Sequence, residues 1–125
     1  MEYAVLIIRG AQAEAEEIQT ALGNSFAWLS IPPDWYEIED KLGENPIKVV
    51  VIAGGERDLV YDCVRYAESA KPGTSIFVVS ATPWLLVTLV RQLPEVTFFD
   101  RSTTMKDTSG FFGFDLFVTH IRANL

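Results

Sequence analysis

The chain has 125 residues, enough for the core of one ordinary domain, and its 49% hydrophobic and 22% charged composition is that of a globular protein. A formal net charge of −7, with ten basic residues spread along the chain, argues against direct nucleic-acid binding, because attraction to a phosphate backbone needs a clustered positive face. One cysteine, Cys63, and one histidine, His120, cannot make an internal disulfide or an ordinary structural zinc site. No stretch approaches the length of a membrane span. The opening MEYAVLIIRG lacks a basic n-region and its apolar run is interrupted by Arg9, so it reads as a first strand rather than a signal peptide. These features predict one cytoplasmic domain over residues 1–125, with no cofactor and no metal.

Apolar runs alternate with helical periodicities from end to end. Residues 3–8 are a first strand. Residues 11–22 follow with Ala11, Ala15, Ile18 and Leu22 on one helix face, stopped by Gly23-Asn24. Residues 26–31 are a second strand, broken by Pro32-Pro33. Asp34 then caps a short helix, Glu37 completes a capping box, and Trp35, Ile38 and Leu42 face inward. The third strand starts at Ile47 or Lys48 and runs to Ala53; its unbroken β-branched run suits a central strand covered on both faces. A helix over 56–70 places Val60, Cys63, Val64 and Ala67 on one side. Residues 75–79 form a fourth strand, after which Thr82 is a candidate cap and Pro83 takes the first helical position. Residues 96–99 are a fifth strand, and a polar loop, DRSTTMKDTSG, leads to a last helix around 111–123.

Strands separated by crossover helices pair in parallel, and five such units predict an α/β, flavodoxin-like (βα)5 fold, a three-layer αβα sandwich around a five-stranded parallel sheet of order 2-1-3-4-5. In that order functional groups gather at the carboxyl ends of the first and third strands. Those ends are Arg9-Gly10 and Ala53-Gly54-Gly55.

At these residues the chain resembles the receiver domains of bacterial two-component response regulators, a likeness that extends over nearly its whole length in element order and hydrophobic pattern. Receivers end their first strand in paired acidic residues, where this chain has Arg9 and Gly10. They carry a phosphate-accepting aspartate at the end of the third strand, where it offers Ala53 or Gly54. The hydroxyl and small residue that end their fourth strand match Ser80 and Ala81. Asp100 or Arg101 falls near their lysine, and Phe98 or Phe99 near their aromatic switch position.

Aspartyl phosphorylation needs a carboxylate nucleophile and a divalent cation held by hard oxygen ligands. Neither Ala53 nor Gly54 accepts a phosphoryl group, and Arg9 repels Mg2+. The resemblance therefore implies a pseudo-receiver: a non-phosphorylated, non-enzymatic module for protein interaction or dimerisation in bacterial signal transduction. Its implied partner is a kinase, an output domain or an ATPase of a signalling pathway. Two alternatives stand beside it. One is a sensor of an anion or nucleotide-type small molecule, with Arg9, Ser80 and Arg101 converging on the Gly54-Gly55 amides; Arg9 paired internally with Asp100 is the competing arrangement. The other is a true receiver whose acceptor is displaced to Glu56 or Asp58, residues that otherwise complement a helix N-terminus. Ser80, Asp100 and His120 supply the residue types of a hydrolase triad, but Ser80 has no glycine-flanked nucleophile elbow.

The segment PWLLVTLVRQL, residues 83–93, spreads its apolar side chains over about 200° of helix surface, wider than a surface helix needs for its own core. In receivers the face made by the fourth helix, fifth strand and last helix is the usual homodimer and output surface. The resemblance thus implies a homodimer or partner contact centred on Trp84 and Val87, with Phe98, Phe99 and Phe117 nearby.

Overall fold

The computed structural model describes residues 2–102 and 110–125. Its elements follow in the order β1 (Val5–Arg9), α1 (Gln12–Leu22), β2 (Trp28–Ile31), α2 (Trp35–Glu44), β3 (Val49–Ala53), α3 (Arg57–Ala70), β4 (Ser75–Ser80), α4 (Pro83–Gln92) and β5 (Thr97–Asp100). A two-residue β6 (Phe112–Gly113), a single 3-10 turn (Phe114–Leu116) and α5 (Phe117–Ala123) complete the chain. All strands are parallel in the order β2-β1-β3-β4-β5-β6. The expected α/β sandwich is present, and its sheet gains a sixth strand on the β5 edge.

Each strand is read twice, once by each helical layer. Leu6, Ile8, Val50, Ile52, Val78 and Phe98 face a core closed by α2, α3 and α4. Val5, Ile7, Val51, Phe77, Val79 and Phe99 face a second core closed by α1 and α5. Successive side chains on a strand alternate between faces, so this division extends to the polar residues at the strand ends. All five residues of β3 are buried, as its VVVIA run requires of a central strand.

Three local expectations are corrected. The last helix does not begin at 111. Gly113 is extended, Phe112 pairs beside Phe99 and Gly113 beside Asp100, and a 3-10 turn intervenes before α5 starts at Phe117. Trp35 does not face inward but stays 44% exposed. The Asp34 carboxylate does cap α2, accepting from the Tyr36 N–H at 3.4 Å, yet the box is not closed: the Asp34 N–H donates to the Pro32 carbonyl instead of waiting for Glu37. Thr82 stands at the N-cap of α4 without a side-chain cap bond, and Pro83 occupies the first turn as expected. Residues 103–109 of the expected polar loop lie outside the described residues.

Candidate functional site

The carboxyl edge of the sheet is knitted by backbone. Ala11 N–H donates to the Ala53 carbonyl at 2.7 Å, Gly54 N–H to that of Val79 at 2.8 Å, and Arg101 N–H to that of Ser80 at 2.9 Å. These bonds carry the parallel ladder one residue into the loops and press the β1–α1 and β3–α3 connections together. A Cβ at Gly10 would lie 2.0 Å from the Gly54 carbonyl oxygen, so this crossing tolerates no side chain there. Gly54 and Gly55 have φ of 65° and 113°, the left-handed region expected of a tight strand-to-helix turn.

The two arginines of the proposed anion pocket point elsewhere. Arg9 continues the alternation of Val5 and Ile7, which faces α1 and α5, and donates from Nη1 to Ser30 Oγ at 2.9 Å. Gln19 donates to the same hydroxyl at 3.1 Å. Arg101 donates from Nη1 to Glu14 Oε1 at 3.2 Å and from Nε to Glu17, tying the end of β5 to α1. Ser80 and Asp100 are register partners whose side chains follow Val78 and Phe98 to the opposite face of the sheet. The pleat therefore separates Arg9 from Ser80 and from Asp100, and the expected Arg9–Asp100 ion pair is not formed.

Ser80 and Asp100, both buried, are engaged locally. Ser80 Oγ accepts from the Thr82 N–H at 3.0 Å, and Asp100 Oδ1 accepts from the Ser102 N–H at 2.9 Å and its hydroxyl at 2.6 Å. Between β1, β3 and β4 a cleft of about 550 Å3 remains, lined among others by Gly10, Glu14, Gly55, Glu56, Ser80 and Thr82. Its charged lining is carboxylate: Glu14 lies against Gly54, whose Cβ would approach Glu14 Oε2 to 2.1 Å, and Glu56 is the N-cap residue of α3. Glu14, in the first turn of α1, and Glu56, which makes no side-chain cap bond to α3, put negative charge near the helix N-termini that would attract an anion. Glu14 and Glu17 were not singled out from the sequence; their spacing on one turn of α1 is the signal that would have found them.

His120 packs on the other side of the sheet, its ring 4.5 Å from Phe112 and 5.2 Å from Phe99, with Nδ1 2.9 Å from the Leu116 carbonyl oxygen. Ser80, Asp100 and His120 are consequently not brought together. Cys63 is buried in the α3 core, and desolvation, with Asp62 adding to it, pushes its thiol up to about 11. Among the described residues no cluster of three His, Cys, Asp or Glu side chains is placed to hold a metal ion.

On α4, Leu85, Leu86 and Leu89 are buried while Trp84 and Val87 remain 73% and 37% exposed. The companions expected beside them are corrected. Phe98, Phe99 and Phe117 are all core residues, with Phe99 5.4 Å from both Phe77 and Phe117. β6 pairs on the outer side of β5 and helices cover both its faces, so β5 offers no aromatic surface. Phe112, Leu116 and Leu125 are exposed apolar residues of the last segment.

No family model and no curated protein matches the sequence. Among solved structures, a de novo designed protein with a Rossmann 2x3 fold, determined by solution NMR, is similar with a TM-score of 0.58 and 16% identity over 76% of this chain and 74% of that one. The likeness is one of fold. Among the described residues no helix is long and apolar enough to cross a membrane.

Proposed function

We propose that this chain is a non-phosphorylated, receiver-like interaction module of a cytoplasmic signalling pathway that works by docking or self-association through α4. The observation that carries this reading is the exposure of Trp84 and Val87 on a helix whose other large apolar residues are already used by the core. A tryptophan at 73% exposure contributes little to its own domain, and aromatic side chains of this kind supply most of the energy at protein interfaces. The strand-end cleft supports the same reading from the other side. Arg9 and Arg101 are engaged with Ser30 and with the α1 carboxylates rather than lining the cleft, which leaves the anion-sensor alternative without a guanidinium.

Light scattering at micromolar concentration tests the self-association. The wild type is expected to be a dimer, and Val87→Glu to be monomeric with an unchanged circular dichroism spectrum. A wild type that stays monomeric at high concentration overturns self-association; a variant that unfolds overturns the assignment of Val87 to a free face.

A further inference from the structure

We propose that the exposed face of α2 is a second docking surface and that its occupant is a lysine- or arginine-rich segment of a partner protein. The proposal goes beyond the α4 reading, since α3 packs between the two helices. At 100° per residue Tyr36, Glu39, Asp40 and Gly43 share one side of α2, opposite the buried Ile38 and Leu42. Trp35 flanks them, and its ring packs on Tyr36 at a centroid distance of 4.8 Å. Both rings are exposed, Tyr36 at 71%.

Charge selects the occupant. Residues 34–44 hold five acidic residues and one basic residue, a net −4 of the chain's −7. The one cation, Lys41, is already paired with Asp40 at 3.6 Å and Glu44 at 3.4 Å. Glu37 and Glu39 have no ion pair among the described residues. An aromatic pair set beside an excess of carboxylates over the single Lys41 attracts a cationic side chain twice, by charge and through the ring face, and repels an acidic partner. Gly43 adds an independent feature. It sits inside the helix, where glycine is a poor former, and a Cβ there would meet nothing within 4 Å. The domain's own packing gives no reason for glycine at this position; a partner backbone lying close to the helix does.

The test is a fluorescence anisotropy titration of an end-labelled deca-arginine peptide in about 150 mM salt, where long-range attraction is screened. The double reversal Glu39→Lys with Asp40→Lys is expected to weaken binding about tenfold or more, replacing two attractive surface pairs by repulsion. Tyr36→Ala is expected to weaken it about threefold through the lost ring face. Glu16→Lys, on the exposed side of α1, changes net charge in the same direction and is expected to stay within about twofold of wild type. Gly43→Gln supplies a variant that cannot be dismissed as misfolded: its urea midpoint rises, because glutamine is the better helix former, while its affinity falls. Absence of binding by the wild type overturns the proposal. So does equal weakening by Glu16→Lys and by the α2 reversal, since the peptide would then be reading net charge alone.

Discussion

Gly10 and Gly43 show how one residue type serves opposite ends in the same chain. At Gly10 a methyl group would meet the Gly54 carbonyl at 2.0 Å, backbone against backbone, with no flexible side chain to move aside. Gly10→Ala is therefore expected to lower stability by about 2–3 kcal/mol or more, read as a fall in the urea midpoint. Gly43→Ala meets only open space and is expected to raise stability by about 0.5–1 kcal/mol in the same assay. Cys63 gives a prediction in pH. Burial raises its thiol to about 11, so the fold favours the neutral form. That contribution is whole below the ordinary thiol range and is lost as pH rises from about 9 toward 11. Stability at pH 10 is expected to fall by about 1 kcal/mol more in the wild type than in Cys63→Ala, by urea unfolding at pH 7 and 10. The turn at Gly54-Gly55 was legible from its residues, whereas the direction of Arg9 was not. In a strand covered on both faces the alternation carries no hydrophobic contrast, and only pairing with β3 and packing against α1 fix which side is which.

At the scale of elements, the sequence was most informative where periodicity was long. α1, α3 and α4 lie within a residue or two of their expected bounds, and the expected apolar faces of α1 and α3 are the buried ones apart from the half-buried Ala11. In the tail, one helix was expected around 111–123, whereas α5 starts only at Phe117. Gly113 and the free edge of β5 offer a strand pairing that a single-segment reading does not see. The phenylalanines of this segment divide by depth. Phe117 is fully buried against Phe77, Phe99 and the stacked Phe114, so Phe117→Ala is expected to cost about 3–5 kcal/mol. Phe112, 38% exposed at the sheet edge, is expected to cost about 1 kcal/mol when cut to alanine. Comparable losses in the two variants, measured by equilibrium urea unfolding, would count against β6 as a thin edge strand over the α5 core.

For the whole molecule, the decisive question is whether the carboxyl edge performs phosphoryl chemistry. Among the described residues, Glu14 and Glu56 line the cleft at that edge and Asp100 lies at the end of β5. Glu14 is on the α1 layer, paired with Arg101. Asp100 is buried on the opposite face, accepting two hydrogen bonds from Ser102. Glu56 stands exposed ahead of α3, next to an Arg57–Asp58 ion pair at 3.5 Å. A Mg2+ ion requires near-octahedral oxygen ligands at about 2 Å, and a transferring phosphoryl group requires that ion beside its acceptor. Glu14 is engaged by Arg101 and Asp100 by Ser102, and neither Ala53 nor Gly54 supplies a nucleophile. Incubation with acetyl phosphate and Mg2+ is therefore expected to leave the intact mass unchanged. Mg2+ alone is expected to leave the thermal midpoint unmoved, where a ligand at a hundred times its Kd would add about 2.7 kcal/mol and raise it by several degrees. A base-labile phosphoryl group at stoichiometric level would overturn the reading, and its position would identify the acceptor. At Glu56 or Asp58 it would place the acceptor at the start of α3 rather than at the end of β3.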